Sequence, residues 1–188
     1  MSELTDRDSS STGRDILAVA IIAITALVLG ANLFMLIDDG ATGSLEGDVA
    51  PSFELEVLGS DKMMSVEKYR GQVIVIDFWA TWCPPCREQM PVLEKVATDP
   101  ELDGEVVVLS VNTDPETDDR RQRVEAFLRE EELTLPTVID TGEMRAAYRV
   151  TTIPTLVVVT PSGEISHVSE GLHDEETLRN LIARAGGK

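Results

Sequence analysis

Cysteine is nearly absent from this chain. Its 188 residues contain two, Cys83 and Cys86, so no framework of distant disulfides holds the fold together. Histidine is as scarce: His167 and His173 are the whole supply. A structural zinc site takes about four ligands, and two cysteines with two histidines far along the chain do not assemble one. The acidic stretch 112–119 lacks the spacing of a metal-binding loop, so no metal is expected. Aromatic residues number eight, and two of them, Trp79 and Trp82, stand just before the cysteines. Basic residues are few as well: 16 against 34 acids, a formal net charge of −18, with only four lysines among the 16. A surface of that sign repels nucleic acid and anionic lipid, which excludes nucleic-acid binding. It suits a basic partner or, more simply, solubility in a salty habitat. No internal repeat is present, which excludes repeat architectures.

One long apolar run is present. Ile16 to Ile37 carries no charge over 22 residues and is bracketed by Asp15 and Asp38. At about 1.5 Å per residue, such a helix covers roughly 33 Å, the hydrocarbon thickness of a bilayer. Arg7 and Arg14 precede it, and no Lys or Arg follows before Lys62. The positive-inside rule then places the N-terminus in the cytoplasm and the remainder outside. The expected division is a cytoplasmic tail over 1–15, a single-pass transmembrane anchor over 16–37, an acidic linker over 38–48 and a folded domain over 49–188. The alternative is a signal peptide cleaved near Ala41-Thr42-Gly43, whose apolar core would ordinarily be shorter, about 7–15 residues. No cysteine follows the run closely enough to carry a lipoprotein anchor.

The two cysteines sit where a strand hands over to a helix. Val73-Ile74-Val75-Ile76 is too short and too β-branched for a helix and reads as a buried strand. After Trp82-Cys83-Pro84-Pro85-Cys86, the residues Met90, Leu93, Val96 and Ala97 fall on one helical face. A cysteine at a helix N-terminus meets the positive end of the helix dipole and unpaired N–H groups, both of which favour the thiolate. Two cysteines three apart in a first turn can also close a disulfide, and a structural staple rarely closes so small a loop. The pattern therefore points to a redox-active pair.

The flanking chain alternates short strands and helices. Phe53–Leu58 and Lys62–Val66 read as a hairpin. Glu105–Val111 and Leu135–Ile139 read as buried strands. A helix is expected from Asp114 to about Leu133, with Val124, Phe127 and Leu128 as its apolar stripe, and a short one over 143–148. Thr155–Thr160 and Glu164–Val168 form a hairpin across Pro161-Ser162-Gly163. Asp174 caps a last helix that has Glu175 and Glu176 in its first turn. This order predicts an α/β sandwich with a central mixed sheet flanked by helices, preceded by the small hairpin and the anchor.

The segment from Val75 to Arg87 resembles the active site of the thioredoxin superfamily. Tyr148-Arg149-Val150-Thr151-Thr152-Ile153-Pro154-Thr155 resembles the loop that carries that superfamily's cis-proline, and Ala50-Pro51-Ser52-Phe53-Glu54-Leu55 resembles the opening of its membrane-anchored TlpA/ResA-like branch. The resemblance covers residues 49–185. It implies a thioredoxin-like fold and a thiol–disulfide oxidoreductase that needs no cofactor beyond its own cysteines. The implied partners are protein disulfides as substrates and a membrane thiol system as electron donor, with cytochrome c maturation or the reduction of a metallochaperone as candidate roles.

Within that frame Cys83, at the strand end, is the expected nucleophile. Cys86, one turn in, is the expected resolving thiol, and the two form the Cys83–Cys86 disulfide on turnover. Pro84 and Pro85 lack N–H groups, so Cys86 is the first residue of the turn able to offer one to Cys83. That leaves the Cys83 thiolate weakly stabilised and favours a reductant over an oxidant. Pro154 resembles the cis-proline facing the disulfide, with the Ile153 backbone presented to substrate. Trp82, Pro84 and Pro85 complete the expected docking surface. Two positions depart from the branch. Asp77 stands where Asn is frequent, and it matches the buried acid of thioredoxin, six residues before the first cysteine. Gln89 stands where Glu is frequent. The strand neighbours of Asp77, namely Val73, Ile74, Val75, Ile76 and Phe78, are all apolar, so Asp77 is expected to be buried beneath Cys86 and to accept its proton, while the two histidines are expected at the surface or in packing. A thiol peroxidase is the alternative enzyme, but Ala80 stands three residues before Cys83, where such enzymes usually have Thr. A redox-inert docking module is the non-enzymatic alternative, and two intact cysteines argue against it.

Overall fold

The β-branched run predicted to be buried forms the central strand of the fold. The structure is a computed structural model that describes residues 21–26 and 45–186. Residues 21–26 are helical. The rest of the expected anchor 16–37, the tail 1–15 and residues 38–44 lie outside the described residues. Among the described residues, no helix is long and apolar enough to cross a membrane. The chain from Leu45 onward forms one compact unit.

Its strands are β1 (Leu55–Glu56), β2 (Met63–Met64), β3 (Val73–Trp79), β4 (Val106–Asn112), β5 (Thr137–Ile139), β6 (Thr155–Val159) and β7 (Ile165–Glu170). Its helices are α1 (Pro84–Ala97), α2 (Arg120–Glu130), α3 (Glu143–Ala147) and α4 (Glu175–Ala185). Five strands form one sheet in the order β5-β4-β3-β6-β7. The pairs β3–β4 and β4–β5 are parallel, whereas β3–β6 and β6–β7 are antiparallel. This is the mixed sheet of a thioredoxin-like α/β fold.

Every residue of β3 is buried, because both faces of the sheet are covered. Successive strand side chains point to opposite faces. Val73, Val75 and Trp79 share one core with Cys83, Cys86 and Leu93, with Val124 and Phe127 of α2, and with Leu178 and Ile182 of α4. Ile74, Ile76 and Phe78 share the other with Met64, Val138, Met144 and Tyr148. By the same alternation Asp77 projects into the first layer, the one roofed by α1.

Some elements differ from the sequence expectation. The first hairpin has two paired residues on each strand, and Val57 N–H still donates across it to Lys62 O at 2.8 Å, while Val57 also pairs with Val138 and Leu58 N–H donates to the Thr137 carbonyl. Part of that strand therefore serves β5. Residues at the end of the expected linker also join the fold: Gly47 N–H donates to Ile165 O, and Ile165 N–H to Asp48 O, each at 2.8 Å. The helix expected from Asp114 begins at Arg120, because the Asp114 carboxylate is engaged elsewhere. Asp174 caps α4 as expected, accepting from Thr177 N–H at 2.8 Å.

Candidate active site

The end of β3 turns sharply into α1. Cys83 N–H donates to Ala80 O at 3.1 Å and closes the turn. Cys83 is then the N-cap of α1, with Pro84 and Pro85 as the first two helical residues. Proline suits that position because the first N–H groups of a helix have no intrahelical partner to lose. The first N–H available to the cap comes from Cys86, 3.3 Å from the Cys83 sulfur. The two cysteines are joined as a disulfide, with Cα atoms 5.3 Å apart. Cys83 retains 3% of its surface and Cys86 none, so an attacking group meets Cys83 first.

The rim is built from two loops. Trp82 is 63% exposed beside the disulfide, and Pro84 and Pro85 are exposed with it. Across from them the Ile153–Pro154 peptide bond is cis. The Ile153 carbonyl oxygen lies 3.9 Å from the Cys83 sulfur, and Pro154 is buried while Ile153 is partly exposed. Pro154 O accepts from Gly171 N–H at 2.9 Å, which ties this loop to the end of β7. Trp79, by contrast, is a core residue. Its indole N–H donates to Ser110 Oγ at 2.6 Å, and its ring packs on Phe127 with centroids 4.9 Å apart.

Asp77 is completely buried, and neither carboxylate oxygen has a protein hydrogen-bond partner. Burial without compensation disfavours the charged form, and the pKa is pushed up to about 7. Gln89, also fully buried, lies one turn beyond Cys86 on the same inner face of α1. Its Oε1 accepts from His173 N–H at 2.7 Å, while its Nε2 has no partner. His173 is partly buried, and burial lowers its pKa; its ring bonds Ser169 at 2.9 Å. His167 pairs with Glu46 at 2.9 Å. Both histidines thus serve packing and pairing, away from the sulfurs in the contacts they make.

Sequence reasoning did not single out Thr81 and Asp114. Asp114 Oδ1 accepts from Thr81 N–H at 2.8 Å and its Oδ2 from the Thr81 hydroxyl at 2.7 Å. Arg123 Nε donates to the same carboxylate at 3.4 Å. No local signal marks this contact, because Asp114-Pro115-Glu116 reads as the start of a helix.

A disulfide pair at a helix N-terminus, with Cys83 the more exposed of the two and an acid of raised pKa in the same core layer, is equipped for thiol–disulfide exchange. Comparison with known proteins agrees. Residues 47–168 match the AhpC/TSA family. The chain is 33% identical over 154 residues to the thioredoxin-like protein YneN of Bacillus subtilis, covering 81% of this chain and 88% of that one. It is 28% identical over 171 residues to the thiol-disulfide oxidoreductase ResA of Geobacillus kaustophilus, covering 90% and 94%. The crystal structure of StoA from Bacillus subtilis superposes with a TM-score of 0.62 at 29% identity, covering 71% of this chain and 97% of that one.

Proposed function

The chain belongs to the AhpC/TSA family, and from that premise we propose that it is a thiol–disulfide oxidoreductase of the ResA/StoA type that reduces protein disulfides. The observation that carries this reading is the Cys83–Cys86 disulfide at the N-terminus of α1, 3.9 Å from the carbonyl that precedes cis-Pro154.

In the reduced protein the Cys83 thiolate attacks one sulfur of a substrate disulfide. A mixed disulfide forms, and the other substrate sulfur leaves as a thiolate. Cys86 gives up its proton and attacks the Cys83 sulfur. This re-forms the Cys83–Cys86 bond and releases the second substrate thiol, so two electrons have passed to the substrate. Asp77 is the proposed base for Cys86, acting directly or through one water, because a carboxyl group with a pKa of about 7 is poised to exchange protons near neutrality. Trp82, Pro84, Pro85 and the Ile153–Pro154 backbone form the proposed docking rim, where an extended substrate segment pairs in strand fashion. The single N–H offered to the Cys83 sulfur supports a weakly stabilised thiolate and a reducing role. Ala80 has no hydroxyl to orient a peroxide, which supports disulfide over peroxide chemistry.

The uncharged run Ile16–Ile37 with arginines only upstream supports an uncleaved anchor, with the catalytic domain outside the cytoplasm. A membrane thiol carrier would then return the electrons, and apocytochrome c or a metallochaperone would be a substrate of suitable chemistry. A reporter fused at Lys188 that works only in the cytoplasm would overturn the topology. The activity itself is tested with insulin and glutathione. The wild-type pair should cycle and reduce insulin, Cys83→Ser should be inactive, and Cys86→Ser should accumulate a mixed disulfide. A reduced protein in which Cys86 alone alkylates would overturn the assignment of roles.

A further inference from the structure

We propose that Asp114 is a positioning residue for the nucleophile, and that its grip on Thr81 sets the equilibrium between dithiol and disulfide. The proposal rests on the reading of Cys83 and Cys86 as a redox pair. The turn Ala80–Cys83 delivers Cys83 to the head of α1, and its closing bond is Cys83 N–H to Ala80 O. Thr81 is the second residue of that turn. Both of its polar groups, N–H and hydroxyl, end on the two oxygens of one carboxylate, at 2.8 and 2.7 Å. The acceptor itself is held in place. The Asp114 side chain is fully buried. Its backbone N–H donates to Asn112 Oδ1 at 3.1 Å, and Arg123 Nε reaches it from α2 at 3.4 Å. One residue earlier, Thr113 donates both N–H and hydroxyl to Trp79 O, at 2.8 and 3.0 Å. The segment leaving β4 thus continues alongside the segment leaving β3, holding its backbone at Trp79 and again at Thr81, two residues short of the nucleophile.

The consequence lies in the reduced state. Disulfide formation requires both sulfurs at bonding distance. A clamped turn keeps Cys83 near Cys86 when the bond is open, which raises their effective concentration. Releasing Thr81 lets the reduced turn spread over more arrangements, favouring the dithiol and making the pair more oxidising.

The test equilibrates wild type and variants with glutathione buffers and reads the disulfide fraction by alkylation. Asp114→Ala should lower the equilibrium constant for disulfide formation about tenfold, an upward shift of about 30 mV for a two-electron couple. Asp114→Asn keeps an acceptor for Thr81 N–H and an amide that can donate to the hydroxyl, so it should lie within about threefold of wild type. Thr81→Val, which removes the hydroxyl bond from the other side, should fall between them. It carries the test if Asp114→Ala does not fold. Variants that melt earlier yet keep the wild-type equilibrium constant would make Asp114 a structural residue and overturn the proposal. A wild-type pair that does not equilibrate with glutathione would overturn the redox reading itself, an outcome distinct from a cycling wild type matched by its variants.

Discussion

Two buried aspartates flank the cysteine pair in sequence, and their surroundings are opposite. Asp77 has no protein partner on either oxygen, and burial carries its pKa to about 7. Asp114 is as inaccessible, but its carboxylate receives two bonds from Thr81 and one from Arg123. The difference comes from where each sits relative to the sheet. Asp77 is inside the central strand, paired with Ser110 on one side and Leu156 on the other. The backbone donors around it belong to ladders, and the side chains in its layer are mostly apolar. Asp114 lies two residues past the end of β4 and faces a turn whose N–H groups belong to no ladder. The same residue type is an unpartnered acid with a raised pKa in the first setting and a fully bonded carboxylate in the second.

The largest expected effect comes from removing the lone acid. Unfolded, Asp77 ionises near 3.8; folded, near 7. Between those values the folded chain holds a proton that the unfolded chain has lost. Stability therefore falls as pH rises through this window, and the loss is complete above the folded pKa. Three pKa units correspond to about 4 kcal/mol. Asp77→Asn does not titrate there, so its unfolding free energy should gain on wild type by up to about 4 kcal/mol between pH 4 and pH 8 in urea titrations. The same variant should slow resolution of the mixed disulfide about a hundredfold near neutrality. A flat stability difference across that range would show that Asp77 is paired and ordinary, and the comparison would collapse. Matching resolution rates from pH 6 to 9 would remove it from the chemistry alone.

The second effect belongs to the satisfied acid. Asp114→Ala leaves the Thr81 N–H and hydroxyl without their acceptor, while Arg123 keeps its bonds to Asp119 and Thr117. Unsatisfied groups of this kind cost about 1–3 kcal/mol, and Thr81 is partly exposed, so water can replace some of what is lost. A loss of about 2–3 kcal/mol is expected in urea unfolding, with Asp114→Asn recovering most of it. An unchanged midpoint for the alanine variant would show that the bonds to Asp114 exchange freely with water.

The contrast between the two acids also marks what could be read from sequence. Strand β3 was legible because Val73 to Ile76 is an unbroken β-branched run. Helix α1 was legible from the spacing of Met90, Leu93 and Val96, and the start of α4 from Asp174. Burial of Asp77 followed from its apolar neighbours, a local property. The cis peptide before Pro154 was expected only through the family-like loop around it. The role of Asp114 was not legible, since its partner Thr81 lies 33 residues upstream and the local signal, an acid before Pro-Glu, points to a helix start. The second partner of the first hairpin has the same origin: Val57 alternates like its neighbours but also pairs with the distant Val138. Patterns of one element are visible in sequence, and contacts that a single side chain makes across the fold are not.

The smallest expected effect sharpens the account of the layer around Asp77. Gln89 is buried on the face of α1 that also carries Cys86 and Met90. Its Oε1 accepts from His173 N–H at 2.7 Å and its Nε2 has no protein partner. Gln89→Leu therefore has two opposed consequences. It removes a buried donor that is already unsatisfied, which is favourable, and it orphans the His173 N–H, which costs about 1–3 kcal/mol. A leucine of similar length adds apolar contact in a layer built from Val75, Leu93 and Leu178. The sum should be a loss of no more than about 1 kcal/mol in urea unfolding, accompanied by faster amide exchange at His173. A loss above about 3 kcal/mol would mean that Nε2 is held by a buried water, since such waters typically make about three hydrogen bonds to otherwise unsatisfied groups.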